Sequence, residues 1–245
     1  MIAERTLELP GGVARPDGAV CRRVRVRQLT GADEEALFER GRAGSARVTT
    51  FLTRVIEDVE GLDAPVDETL VAGMHLGDRD YLLLRLRQLE LGDAVHEVVR
   101  CPACARKVDV DFAISELPVR RLVDPQPAYR VALAAAGGRE ALVRLPTGED
   151  QSAVEGLALE NPATANTRLF ARVVLEYDGR APMTEEDARA WPPAVRAELA
   201  SWLDARAPGP DLLLDLACPH CKADMSYAFD LHGFFLPSSS RASTA

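Results

Sequence analysis

Two Cys-Pro-x-Cys motifs, Cys101-Pro102-Ala103-Cys104 and Cys218-Pro219-His220-Cys221, are the residues of this chain best suited to chemistry. A two-residue spacer lets both sulfurs of a turn point the same way, and the proline fixes one backbone angle without needing an amide donor. Two such turns facing each other supply four thiolates to one tetrahedral metal, with zinc–sulfur bonds of about 2.3 Å and no open position. A closed set of this kind holds a structure together, whereas a catalytic zinc keeps a position for water. The spacing predicts a structural zinc on Cys101, Cys104, Cys218 and Cys221.

Thiols have other uses. A redox Cys-x-x-Cys normally opens a helix, but strand-like sequence follows both pairs here. Two disulfides would suit a secreted chain, yet the start Met1-Ile2-Ala3-Glu4-Arg5 does not read as a signal peptide. An iron–sulfur cluster is the remaining use of four thiolates. Cys21 reads as a small buried apolar residue and His220 as solvent-facing. His75, His96 and His232 are scattered, without a nucleophile pattern beside them. The chain has no phosphate-binding Gly-rich loop, no Gly-x-Ser-x-Gly elbow and no His-Glu-x-x-His. The expectation is a protein that is not an enzyme.

The motifs need elements to hold them. After the first, Val108, Val110 and Phe112 alternate with Asp109 and Asp111; after the second, Met225, Tyr227 and Phe229 take the same offsets. Period-two apolar spacing marks half-buried strands. Val95, Val98, Val99 and Leu212, Leu214, Leu216 suggest a strand entering each turn. The expected arrangement is two β-hairpins, each with a knuckle at its tip, clamped as a zinc-ribbon-like module whose halves are separated by residues 105–217. Closing so long a loop costs about 4 kcal/mol in chain entropy, against roughly 10–16 kcal/mol of apparent binding energy from structural zinc.

Upstream, Arg22 to Arg27 alternates arginine with Val24 and Val26, a strand whose Arg23, Arg25 and Arg27 form a solvated face, a docking edge for an acidic partner or a phosphate-binding edge. Pro10-Gly11-Gly12 and Pro16-Asp17-Gly18 read as turns. Thr30 and Asp33 form a capping-box pattern that starts a helix running to about Arg40. Val48, Phe51, Leu52, Val55, Ile56 and Val59 predict a second helix ending near Gly61. Gly77 to Leu89 predicts a central third helix, apolar apart from its arginines and ended by Gly92. Beyond Pro118, Tyr129–Leu133 and Ala141–Leu145 predict a hairpin turning at Gly137-Gly138. Helices are then expected over Glu149–Glu160, Ala163–Tyr177, a short piece after Thr184, and Ala194–Ala205. Leu231 to Leu236, with Phe234 and Phe235, forms an apolar cluster that offers either core or a contact surface.

The fold class expected is α+β: a zinc-ribbon-like pair of hairpins, N-terminal helices and a long inserted, mostly helical segment. The division expected is 1–117 for the N-terminal helices and first knuckle, and 118–207 for the inserted hairpin and helices. Residues 208–236 then carry the second knuckle completing the core, and 237–245 form a disordered tail. Among 245 residues, 47% are hydrophobic and only 5% aromatic, so the core must be mostly aliphatic. The net charge of −9 disfavours general nucleic-acid binding. No apolar run approaches the roughly 20 residues of a membrane span, and the cysteine usage fits a reducing cytoplasm.

Three stretches together resemble a known family: Leu29-Thr30-Gly31-x-x-Glu34-Glu35, Met74 to Arg87 with Leu91-Gly92-Asp93 and the first knuckle, and Arg144 to Asp150. They are similar to the T-even-like phage baseplate hub assembly chaperone family, also found in the gene clusters of contractile, phage-tail-like injection systems. The resemblance covers roughly residues 5 to 236. It implies a non-enzymatic assembly factor or component that holds a hub, spike or wedge protein, in the cytoplasm or within an assembled particle. The competing reading is a zinc-ribbon regulator contacting nucleic acid or polymerase, against which Asp109, Asp111 and Asp224 beside the knuckles argue.

Overall fold

An antiparallel sheet opens the chain in the computed structural model, which describes residues 5–39, 41 and 43–228. Strand β1 (Thr6–Ala14) pairs with β2 (Val20–Val26), and β2 with β3 (Ile56–Val59). Helices α1 (Gly31–Leu37) and α2 (Gly44–Val55) connect β2 to β3, and α3 (Glu68–Gly73) and α4 (Leu76–Leu91) follow. Val24 and Val26 point inward against Phe51, Leu52 and Val55 of α2 and Leu82, Leu83 and Leu86 of α4, making the first core. The class is α+β, as the sequence predicts.

Two expectations in this half need correction. The Pro10-Gly11-Gly12 stretch is not a turn: β1 runs through it, with the pairing shifting between Glu8 and Val13. The Gly11 and Gly12 N–H groups donate instead to the carboxylate of Asp78 on α4, at 2.7 and 2.8 Å. The second helix stops at Val55, and Ile56 to Val59 form β3. The apolar spacing carries through both, but the free edge of β2 captures the chain into its ladder at Val24–Val59 and Val26–Ile56. Within the same core Arg79 of α4 is 1% exposed and donates to Thr49 Oγ1 (2.9 Å), Val71 C=O (3.2 Å) and Ser45 C=O (2.8 Å).

The first hairpin comes next, β4 (Ala94–Arg100) with β5 (Lys107–Ala113). A two-residue strand, β6 (Val119–Arg120), leads to a second sheet in the order β7 (Tyr129–Leu133), β8 (Arg139–Val143), β9 (Val174–Tyr177). The loop between β7 and β8 turns at Gly137 and Gly138, both at positive φ, where a side chain would be strained. Helices α5 (Gly148–Glu160) and α6 (Pro162–Val173) connect β8 to β9, and α7 (Glu185–Ala190) and α8 (Pro193–Arg206) complete this half. Again the expected long helix ends early: α6 stops at Val173, and Val174 to Tyr177 pair with β8. Residues between Leu122 and Leu203 form a second core, with Leu133, Val143, Phe170, Val173, Val195 and Leu199 fully buried or nearly so.

Strand β10 (Gly209–Pro210) pairs with β6, tying the two ends of this segment together. The second hairpin, β11 (Leu213–Ala217) with β12 (Asp224–Ala228), packs Leu214 and Tyr227 against the first core. No helix of the described residues is long and apolar enough to cross a membrane.

Candidate metal centre

Each knuckle is built by its hairpin. Arg100 faces Lys107 at the end of the β4–β5 ladder, so Cys101 to Arg106 must reverse the chain. The Cys101 N–H donates to Arg106 C=O at 3.0 Å and the Ala105 N–H to Cys101 C=O at 2.9 Å. The second knuckle makes the same two bonds, Cys218 to Ala223 and Lys222 to Cys218, both at 2.9 Å. In each, the residue after the second cysteine lies in the left-handed region: Ala105 at φ 57° and Lys222 at φ 61°. Neither is glycine, so this strain was not readable as a glycine signal.

The two tips bring all four predicted sulfurs together. Cys101 Sγ lies 3.7 Å from Cys221 Sγ, and Cys104 Sγ 3.8 Å from Cys218 Sγ. All four lie within 4.8 Å of one another. A tetrahedron with bonds of about 2.3 Å has edges of about 3.8 Å, so the spacing is that of four ligands around one ion. It is not that of disulfides, whose sulfurs sit about 2 Å apart. A four-iron cluster would hold its thiols further apart. The set is compatible with zinc. Val99, Val108, Val110 and Met225 pack around Cys101 and Cys218, which are buried, while Cys221 is exposed. Without metal the thiols compete for charge. Backbone N–H groups led by that of Cys221 push the Cys218 thiol down to about 6. The Ala223 N–H favours a Cys221 thiolate too, but burial and the neighbouring sulfurs outweigh it and push that thiol up to about 11.

His220 does more than face solvent: its Nε2 lies 3.1 Å from Lys107 C=O, linking the second knuckle to β5 of the first hairpin. His96 bonds Asp111 at 2.8 Å on the exposed face of the first hairpin. Away from the thiols, an apolar cleft of about 340 Å³ runs past Leu145, Leu169, Phe170, Leu203 and Pro208. Its lining includes His75, whose imidazole is pushed down by burial, and Asp204.

The predicted partner-binding residues do not converge. Arg23 and Arg25 are exposed on β2 but face acids of β3 and the residue after it, Glu60 at 3.2 Å and Glu57 at 3.4 Å. Arg27 is turned into the α1 cap, where it grips the buried Asp33 at 2.7 and 2.8 Å. Phe234 and Phe235 lie outside the described residues. Of the buried polar groups that fix the helices, Asp33, Asp78, Arg79 and Asp150, sequence reasoning read only Asp33, and that as a cap rather than a buried ion-pair partner. A readable signal existed for two of them, since Arg-x-x-Thr-Gly-x-Asp occurs at Arg27–Asp33 and again at Arg144–Asp150.

A family model described as T4 bacteriophage base plate protein matches residues 3–179, a span that takes in the first knuckle and ends just after β9. Among curated proteins and solved structures, none matches the chain. The match spans well over half of the sequence, and the chain therefore belongs to the T4 bacteriophage base plate protein family.

Proposed function

We propose that this protein is a non-enzymatic assembly factor or component of a contractile, phage-tail-like baseplate, working by contact with a hub, spike or wedge protein. Cys101, Cys104, Cys218 and Cys221 hold one structural zinc in a zinc-ribbon-like pair of hairpins. Family membership over residues 3–179 is the observation that carries this reading. The donor set supports it: four thiolates around one ion leave no position for a substrate or an activated water. The protein acts in the cytoplasm during assembly or within the assembled particle.

The contact surface is assigned to the exposed sheet face of Arg23 and Arg25. Their acidic neighbours Glu57 and Glu60 give this face alternating charge, which favours register and specificity over raw attraction. Arg27, committed to Asp33, takes no part. The test is co-expression with the baseplate proteins of the same gene cluster, followed by affinity purification of this chain. A hub, spike or wedge protein should co-purify, and Arg23→Glu with Arg25→Glu should reduce its recovery at least tenfold. Failure of every baseplate protein to co-purify contradicts the assignment; recovery undiminished in the double variant moves the contact elsewhere.

A further inference from the structure

The two halves of the molecule repeat several pairings and backbone bonds at matching positions. In the first, Val24 pairs with Val59 and Val26 with Ile56, with an irregularity between Arg25 and Val26. In the second, Ala141 pairs with Tyr177 and Val143 with Val174, with the irregularity between Leu142 and Val143. Arg27 N–H donates to Val55 C=O and Arg144 N–H to Val173 C=O; Glu60 N–H donates to Arg23 C=O and Asp178 N–H to Glu140 C=O.

The polar clamps repeat as well. Asp33 closes the α1 capping box, held by both guanidinium nitrogens of Arg27 and faced by Arg54 from the last turn of α2. Asp150 closes that of α5, held by both nitrogens of Arg144 and by Arg172 from the last turn of α6. Arg79 donates to Thr49 Oγ1, Val71 C=O and Ser45 C=O. Arg196 donates to Thr167 Oγ1, Ala188 C=O and Ala163 C=O, at 2.9, 3.0 and 2.9 Å. Cys101 and Cys104 answer to Cys218 and Cys221. From β2 onward these counterparts keep a separation of about 117 positions in the chain. A shared fold class does not impose one offset on caps, clamps and knuckles alike.

We infer that the chain is two tandem copies of one unit, that each copy supplies one half of the four-thiolate centre, and that the copies join head to tail through a surface closed against any further copy. The joint is specific. Helix α2 has no side-chain cap of its own; Glu155 of α5 caps it, accepting from Gly44 N–H at 2.7 Å and Ser45 N–H at 3.0 Å. Leu76 N–H donates to Pro146 C=O, Gly148 N–H donates to Met74 C=O, and Ser152 Oγ bonds Ser45 Oγ. Gly148 is needed there, because a Cβ would lie 1.8 Å from Arg79 Nη1.

The second copy cannot receive a third in the same way. Its counterparts of Gly44, Ser45 and Leu76 are Pro162, Ala163 and Pro193, which removes two N–H donors and a hydroxyl. Helix α6 is capped instead by its own Asn161, which accepts from Ala163 and Thr164 N–H at 3.0 and 3.2 Å. At the other end, the counterpart of Glu155 in the first copy is Phe38, which has no carboxylate to offer. A head-to-tail contact that does not close on itself propagates into an array unless its ends are blocked. Both ends are blocked here.

Hydrogen exchange by mass spectrometry on the full-length, metal-loaded chain tests this. Glu155→Ala should speed exchange at residues 44–47 at least tenfold and leave 162–165 unchanged, while Asn161→Ala does the reverse. Arg79→Lys should open α2 and α3, and Arg196→Lys should open α6 and α7, each leaving its counterparts protected. A chelator should open 94–113 and 213–228 together. Exchange in α2 indifferent to Glu155 would overturn the joint. An Arg196 variant that spares α6 and α7, or metal loss that opens only one hairpin, would overturn the tandem reading.

Discussion

Single residues decide most here where charge or backbone is buried. Asp150 is fully buried; burial alone would raise its carboxyl, but Arg144, the Thr147 N–H and Arg172 outweigh it and hold it at about 2. Arg27 holds Asp33 even lower. A carboxylate depressed by folding stabilises the protein fully above its unfolded value, about 4, and loses that contribution as pH falls toward the folded value. Asp150→Asn should therefore cost about 2–3 kcal/mol at pH 7 by leaving two guanidinium groups short of their partner. That difference from the unsubstituted chain should shrink as pH drops from about 4 toward 2, measured by urea unfolding across that range. A difference constant with pH would mean the ion pairs do not matter. Glycines give the steric counterpart. Gly148→Ala drives a methyl into the buried Arg79 and should cost about 2 kcal/mol or more. Gly156→Ala, in the same helix with nothing within 4 Å, should stabilise by about 0.5–1 kcal/mol in the same unfolding assay. The four cysteines were legible because ligand chemistry demands their type and spacing. Arg79 was not, because an arginine within a leucine run reads as a surface position until three oxygens are seen around it.

Elements were legible where sequence punctuates them. Gly92 ends α4 at φ 87°, and the Thr30–Asp33 box starts α1. The hairpins followed from period-two spacing, and all but the last of their residues are described. What could not be read were the two places where a helix passes into a strand without a break, Val55 to Ile56 and Val173 to Val174. No glycine or proline marks the change, and the apolar spacing suits either state. The decision is made by the unpaired edges of β2 and β8, contacts distant in sequence. The short α3 was missed for a related reason, six residues being too few to show a helical period. At the knuckles the elements carry strain that predicts an outcome. Ala105→Gly and Lys222→Gly place a residue free of Cβ clash at φ near 60° and should be neutral or stabilising by up to about 1 kcal/mol. Thermal unfolding of the metal-loaded protein would show it, and a marked loss in either variant would mean that the side chain has another task.

At the scale of the whole molecule, two hairpins meet at one set of sulfurs beside the first core, and a second core lies between them in the chain. The second hairpin leans on the first core through Leu214 and Tyr227, so the thiolates close a chain that has passed through an entire second core before returning. The sequence suggested an insertion held by a clasp; the repeated sheets, caps and arginine clamps recast that segment as a second copy of the first. A protein of this design offers surface and rigidity, which suits its place in a baseplate family. The central requirement of the proposed function is that one metal, bound by sulfur alone, joins the two halves. X-ray absorption at the zinc edge of the purified full-length protein, with metal content measured on the same sample, tests that directly. One zinc per chain with four sulfur neighbours at about 2.3 Å is the expected result. Nitrogen or oxygen in the first coordination sphere, or a folded chain without metal, would contradict it.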